Sequence, residues 1–169
     1  VGTFTELDGS TYAGDWQHGK RHGQATQTDS TGQTYTGDFK NDAFNGEGTF
    51  VFANSDTYVG SFADGVKSGE GTLEYANGDE YIGPFMDGMR SGTGSFTYSN
   101  GDQYVGGFKQ NEQYGEGILS YANGDKYVGF FQVGKPNGRG RLELAASGNV
   151  YEGTYKDGFF DGEGTYTFA

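Results

Sequence analysis

The sequence predicts an all-β protein: an elongated, single-layer antiparallel sheet of consecutive β-hairpins, one hairpin per repeat. Three observations predict it. The pattern Y-x-G-x-F-x-x-G-x-x-x-G-x-G recurs along the chain, most regularly at Tyr81-Ile82-Gly83-Pro84-Phe85 with Gly88, Gly92 and Gly94. Its copies open at Tyr12, Tyr35, Tyr58, Tyr81, Tyr104 and Tyr127 in steps of 23 residues, and at Tyr151 after a step of 24. Self-similarity at such a period marks a repeat architecture. Inside each copy the aromatic and glycine positions alternate with period two, the signature of a strand. Tyr, Phe, Thr and Val favour strands as well, and 33 glycines would be costly inside helices.

The chain therefore reads as one array over residues 1–169. Residues 1–11 are the tail of a preceding copy, because Gly2-Thr3-Phe4-Thr5 aligns with Gly71-Thr72-Leu73-Glu74. The first residue is Val, so the chain is expected to be processed, trimmed or cut from something longer. The first copy has Trp16 at the Phe position and Ala25 in place of a glycine. In the second, Asp42 replaces the turn glycine. The copies at Tyr58 and Tyr81 are regular. Asn111 stands at the turn of the fifth copy, and Asn tolerates positive φ. The sixth carries Tyr127, Gly129, Phe131, Gly134, Gly138 and Gly140, and the seventh Tyr151, Gly153, Tyr155, Gly158, Gly162 and Gly164. The extra residue before the seventh falls in 145–149, which places a turn there.

Each copy contains two strands around a loop centred on Gly88-Met89-Arg90-Ser91 or its equivalents. Ala76-Asn77-Gly78-Asp79, Ser99-Asn100-Gly101-Asp102 and Ala122-Asn123-Gly124-Asp125 join one copy to the next. Asn-Gly between alternating strands predicts two-residue hairpin turns there, with φ > 0 at both central positions.

Residues two apart on a strand share a face. Tyr81, Gly83 and Phe85 point one way, and with in-register pairing Gly92, Gly94 and Phe96 line the same face. A glycine beside a ring lets the ring lie flat on backbone, so a larger residue at Gly83 or Gly94 should clash. The other face, with Ile82, Pro84, Thr93, Ser95 and Thr97, is expected to be mostly polar, and Glu47, Glu70, Glu116 and Glu163 share one position on it. Strands about 4.8 Å apart put repeats roughly 10 Å apart and make a ribbon on the order of 70 Å long. Its stability should be spread over nearest neighbours.

Charge narrows the partners. With 11 basic against 23 acidic residues the net charge is −12. Nucleic-acid binding rests on basic side chains neutralising phosphates, and anionic lipid attracts basic segments for the same reason. Neither nucleic acid nor direct membrane binding is expected; a basic or amphipathic protein partner fits the field. There is no cysteine, hence no disulfide and no thiolate metal site. No apolar run approaches the roughly 20 residues of a membrane span, and no signal peptide is evident.

The partner-binding candidates are the aromatics Tyr58, Phe62, Tyr81, Phe85, Tyr104, Phe108, Tyr127 and Phe131, with Tyr75, Tyr98 and Tyr121 one strand away. In a single layer such rings are not all expected to be hidden, and exposed apolar patches mark interaction sites. Alanine at Tyr104 and Phe108 should then weaken binding with the fold intact. The tips vary, from Lys20-Arg21-His22 to Phe159-Phe160-Asp161, and variation on a fixed frame can encode partner choice. Phe44, Met89, Tyr114, Phe159 and Phe160 are expected to be exposed along one edge. Asp56, Asp79, Asp102 and Asp125 recur roughly 10 Å apart, too far to share a calcium ion, and are expected to support their turns. His18 and His22 lack a ligand set or triad around them. No catalytic residue, metal site or cofactor site is read from the sequence. The terminal strands Gly2–Thr5 and 164–168 would be sheet edges, open to pairing with a partner or a second copy.

The pattern at its 23-residue period resembles the MORN (membrane occupation and recognition nexus) repeat, over essentially the whole chain. Tyr12-Ala13-Gly14-Asp15-Trp16 with Gly19-Lys20-Arg21-His22-Gly23 is especially similar to it. The resemblance implies a twisted single-layer sheet of hairpins, often curved into a groove, and a role in cytoskeletal or ciliary scaffolding. It leaves open a non-catalytic scaffold binding a helix or extended peptide, and a targeting or regulatory module of a larger enzyme or complex. A phospholipid tether, proposed for the family, depends on basic residues and is disfavoured by the acidity. The setting expected is cytoplasmic, cytoskeletal or membrane-associated through a partner.

Overall fold

The computed structural model describes residues 2–169. Among them there is no helix, and sixteen strands form one antiparallel sheet that is not closed into a barrel. In chain order they are β1 (Gly2–Thr5), β2 (Thr11–Gln17), β3 (Lys20–Thr28), β4 (Thr34–Lys40), β5 (Ala43–Val51), β6 (Thr57–Ala63), β7 (Val66–Glu74), β8 (Glu80–Met86), β9 (Met89–Arg90), β10 (Gly92–Thr97), β11 (Gln103–Lys109), β12 (Glu112–Ser120), β13 (Lys126–Gln132), β14 (Lys135–Glu143), β15 (Val150–Lys156) and β16 (Phe159–Thr167). Strands neighbour one another in that order, with β9 pairing β8 alone. Their contacts fall into two units. One runs to Gly78 and includes Pro84–Gly88; the other holds Asp79–Gly83 and Met89–Ala169.

The turns are assigned the other way round from the sequence expectation. Both-positive φ occurs inside the repeats, at His18-Gly19, Asn41-Asp42, Asp64-Gly65, Asp87-Gly88, Gln110-Asn111, Val133-Gly134 and Asp157-Gly158. These are the two-residue type I′ turns, so residues 89 and 90 already belong to a strand. Between repeats the loop has three residues. Tyr98 N–H donates to Asp102 C=O (2.9 Å) and Gly101 N–H to Tyr98 C=O (2.9 Å), and only Gly101 takes positive φ. That is a type I turn closed by a left-handed residue. Asn100 serves through its side chain, accepting from Asp102 N–H at 3.0 Å, and Asn54 and Asn123 do the same in their own loops. The insertion at 145–149 is indeed a turn, closed by Leu144 N–H to Asn149 C=O.

Pairing is not in register through the hairpin. In β11–β12, Gly106 faces Gly117 but Phe108 faces Gln113, and the same shift occurs in the other uninterrupted hairpins. The second strand bulges at a glycine of positive φ, such as Gly46, Gly69, Gly115 and Gly162. A bulge leaves a backbone group without a ladder partner. Here the tyrosine hydroxyl supplies the missing donor: Tyr35, Tyr58, Tyr104 and Tyr127 donate to the carbonyls of Asp38, Ser61, Gly107 and Phe130, three residues on, at 2.9, 3.0, 3.0 and 3.2 Å.

The core is this tyrosine row. Tyr35, Tyr58, Tyr81, Tyr104 and Tyr127 are 0–1% exposed. Each ring lies on two facing glycines: a Cβ on Gly117 would stand 2.5 Å from Tyr104 Cε2, and one on Gly106 2.5 Å from its hydroxyl. The expected clash at Gly83 and Gly94 is present too, each hypothetical Cβ lying 2.7 Å from the Tyr81 hydroxyl. The Phe of the following repeat closes the ring's edge, T-shaped at 4.9 Å in Tyr58–Phe85 and Tyr81–Phe108 and 4.8 Å in Tyr104–Phe131. Burying one such ring is worth about 2–3 kcal/mol.

Both sheet margins are tied from repeat to repeat. At the turn margin, Gly65 N–H donates to Phe44 C=O (2.8 Å), Gly88 to Lys67 (3.0 Å), Gly134 to Gln113 (3.1 Å) and Gly158 to Pro136 (2.9 Å). At the other, Asp56, Asp79, Asp102 and Asp125 each accept from the first N–H of the next loop, at Ala76, Ser99, Ala122 and Ala145, all at 2.8 Å. The aspartate column thus links turns as well as supporting them.

Two expectations follow. Gly117→Ala should lower unfolding free energy by about 1–3 kcal/mol through overpacking, and Tyr104→Phe by about 1–2 kcal/mol by orphaning the Gly107 carbonyl. Glu116→Ala, on an exposed position between them, should stay within roughly 0.5 kcal/mol; urea unfolding midpoints provide the comparison. Burial also pushes the phenols of Tyr35, Tyr58, Tyr104 and Tyr127 from an ordinary 10 up to about 12. The raised pKa means the folded state holds its protons longer. Their contribution to stability should be complete below pH 10 and fall away as pH rises toward 12, readable as alkaline unfolding tracked by tyrosinate absorbance.

Candidate functional site

The aromatic face divides into a floor, a lid and a row of notches. Of the sequence candidates, Tyr58, Tyr81, Tyr104, Tyr127, Phe62, Phe85, Phe108 and Phe131 form the buried floor, and Tyr75, Tyr98 and Tyr121 are half-buried beside it. A single layer is not expected to hide all of these rings, and it hides the first eight and not the other three. Facing glycines let each tyrosine sink onto backbone, and the next repeat's Phe, or Tyr155 in the case of Tyr127, covers it. Truncating Tyr104 or Phe108 to alanine would consequently damage the fold, at roughly 3–5 kcal/mol for a buried aromatic.

The lid comes from the bulge. It brings the residue nine positions after each opening tyrosine opposite the Phe, as in Phe39↔Phe44, Phe62↔Lys67, Phe108↔Gln113 and Phe131↔Pro136. That position holds Arg21, Phe44, Lys67, Arg90, Gln113, Pro136 and Phe160 in the seven copies. Phe44 stacks on Tyr35 at 3.9 Å and Phe160 on Tyr151 at 3.8 Å. Lys67 Nζ lies 5.2–5.5 Å over the rings of Phe52, Tyr58 and Phe85, and the Arg90 guanidinium 5.0–5.6 Å over Tyr81, Phe96 and Phe108. These are cation–π distances. Gln113 instead donates through its amide to the Tyr98 hydroxyl at 2.8 Å.

Sequence reasoning found these tips variable but did not assign the middle residue to the ring beneath it. A signal was present. The two copies with Arg at this position, Arg21 and Arg90, are those followed 21 residues later by Asp42 and Asn111 in place of the turn glycine. The structure shows why: Arg21 N–H donates to Asp42 Oδ1 and Arg90 N–H to Asn111 Oδ1, both at 2.9 Å, and each guanidinium reaches the same residue's carbonyl. Of the tip side chains expected to be exposed, Tyr114, Phe159 and Phe160 are; Phe44 and Met89 are half-buried.

Notches open beside the lids, three of them between two successive lid residues. In the first unit one of about 200 Å³ lies among Phe4, Tyr12, Trp16 and Arg21, and one of about 230 Å³ among Phe44, Phe50, Phe52, Phe62 and Lys67. In the second, about 360 Å³ lie among Arg90, Phe96, Tyr98, Phe108 and Gln113, and about 260 Å³ among Tyr121, Tyr127, Pro136, Leu142, Tyr155 and Phe160. Burial raises the phenol pKa of Tyr98, Tyr121 and Tyr155 above its ordinary value.

The opposite face is less polar than expected. Val59, Ile82, Val105, Ile118 and Val128 stand exposed on it, β-branched residues that suit a strand without a covering layer. It carries a hollow of about 880 Å³, lined by glycine backbone and mixed charges, Arg139, Arg141, Glu152 and Glu163. Among the described residues no group of three His, Cys, Asp or Glu side chains could hold a metal ion, and no helix is long and apolar enough to cross a membrane.

Comparison with solved structures finds similarity to the SAS-4 (dCPAP) TCP domain of Drosophila melanogaster in complex with a proline-rich motif of Ana2 (dSTIL). Identity is 14%, coverage is 99% of this chain and 88% of that one, and the TM-score is 0.49. The wild-type TCP10 domain of Danio rerio CPAP is similar at 11% identity, with coverage of 90% and 72% and a TM-score of 0.38; its complex with a peptide of Danio rerio STIL gives 11%, 90%, 73% and 0.31. No match was found among curated proteins. The MORN repeat pattern matches at 12–34, 35–57, 58–80, 81–103, 104–126, 127–146 and 151–169, each beginning at the opening tyrosine of its copy. The chain belongs to the MORN repeat family.

Proposed function

We propose that the chain is a non-catalytic scaffold that holds a segment of a protein partner, a helix or an extended peptide, along its aromatic face. One observation carries this reading: the notches between successive lid residues are each of side-chain size and walled by rings, on a frame whose floor is fixed and whose lids differ from copy to copy. Aromatic side chains with one wet end are favoured where a partner docks. A net charge of −12 draws a segment that carries positive charge beside its apolar anchors. The setting that belongs to this proposal is cytoplasmic, at a cytoskeletal or membrane-associated assembly reached through the partner.

The test begins with affinity capture using the full-length protein and mass spectrometry. The captured partner's affinity is then measured for Phe52→Ala and Phe159→Ala, on notch walls, and Val128→Ala on the opposite face. The wall variants should each weaken binding by roughly tenfold or more, with unfolding midpoints near wild type, and Val128→Ala should leave affinity unchanged. Loss confined to Val128→Ala, or affinity indifferent to all three, would contradict the reading.

A further inference from the structure

Three consecutive repeats place a nitrogen donor of their own over the ring floor: Lys67, Arg90 and Gln113. The sixth repeat does not, because Pro136 stands at that position. The walls that receive the donor are nevertheless kept. Lys67 Nζ sits against Phe52 of the preceding repeat, Tyr58 of its own and Phe85 of the next. The corresponding residues around Pro136 are Tyr121, Tyr127 and Tyr155, and all three line the 260 Å³ notch together with Leu142 and Phe160.

A second observation is independent of that alignment. The floor position holding Phe39, Phe62, Phe85, Phe108 and Phe131 in repeats two to six holds Tyr155 in the seventh. Its ring is 5% exposed, T-shaped on Tyr127 at 5.0 Å, and its hydroxyl is buried without a hydrogen-bond partner among the described residues. A buried hydroxyl of this kind costs free energy until something bonds to it. A ring of aromatic walls favours a cation through the negative ring faces, and an ammonium brings three donors to a phenol oxygen.

We propose that the notch between Pro136 and Phe160 is a cage for the side-chain ammonium of a lysine on the bound partner, entering where Lys67 sits three repeats earlier. The proposal rests on the scaffold reading and adds to it the chemistry of one anchor. Acidity of the chain favours the same occupant. A lysine stem also fits the apolar rim of Leu142 and Pro136, as such stems pack along apolar surface while the charged head is held elsewhere.

The test is an NMR titration of the whole protein carrying ¹³C-labelled tyrosine rings. The probes are the capped tripeptide Ac-Gly-Lys-Gly-NH₂ and its norleucine counterpart, which has the same length and no charge. The lysine peptide should shift the ring signals of Tyr121, Tyr127 and Tyr155 with a dissociation constant on the order of millimolar, and the norleucine peptide should not. Pro136→Lys should abolish the response, because the chain then fills its own cage. Tyr155→Phe should weaken it by roughly tenfold, the loss of a hydrogen bond to a charged group. Equal shifts from both peptides, shifts that persist in Pro136→Lys, or no shift at all would overturn the cage. Since no natural partner enters this titration, a negative result removes the cage alone. Partner affinity indifferent to Phe52→Ala and Phe159→Ala would remove the scaffold reading instead.

Discussion

In the repeats opening at Tyr35, Tyr58, Tyr104 and Tyr127 a tyrosine ring lies flat on two glycines from paired strands, and its hydroxyl donates to the carbonyl three residues on, beside the bulge; in the copy at Tyr81 the hydroxyl reaches the Ser91 carbonyl of the facing strand instead. Several features depend on that arrangement. A single sheet has no second layer to bury its rings, so burial has to come from within the layer. Glycine at both facing positions lowers the floor by one Cβ on each strand. The bulge glycine takes positive φ, which permits the register shift, and the shift places the lid residue over the ring. Replacing tyrosine by phenylalanine keeps the packing and leaves the bulge carbonyl unmet. Replacing a floor glycine keeps the hydrogen bond and lifts the ring. The motif needs both residue types because each answers a different cost.

The fold class was legible because its signal is repetition. Strand period, glycine count and the 23-residue step agree, and the aromatic–glycine interlock was visible from alternation alone. What was not legible depends on backbone dihedrals that two glycine-containing turns share in composition. Asn100-Gly101 and Asp87-Gly88 look alike on paper, yet only the second has both residues at positive φ. In the first, Asn accepts from the aspartate two residues later and so keeps an ordinary φ. The register shift was hidden for a related reason: period two continues through Gly92, Gly94 and Phe96 whether or not a bulge intervenes.

The aromatics named from the sequence share one face of the sheet, and most of them form its buried floor. Their burial comes from the following repeat's aromatic ring and from the lid, neither of which the alternation within one strand displays. The position the pattern leaves free lies nine residues after each tyrosine. Arg, Phe, Lys, Gln and Pro at that position give each notch a different charge, depth and hydrogen-bonding edge while the sheet below stays the same. Where Arg takes the position, the following turn exchanges glycine for Asp42 or Asn111 to hold it, a coupling carried by hydrogen bonds between adjacent repeats.

The most direct measurement of the central arrangement is the exchange behaviour of the tyrosine hydroxyl protons, observed by NMR in water. The account predicts slowly exchanging hydroxyl resonances for Tyr35, Tyr58, Tyr104 and Tyr127, each with nuclear Overhauser contacts to the α-protons of its facing glycine: Gly48, Gly71, Gly117 and Gly140 respectively. Hydroxyl protons that exchange with water as fast as those of free tyrosine, with no contact to those glycines, would contradict it.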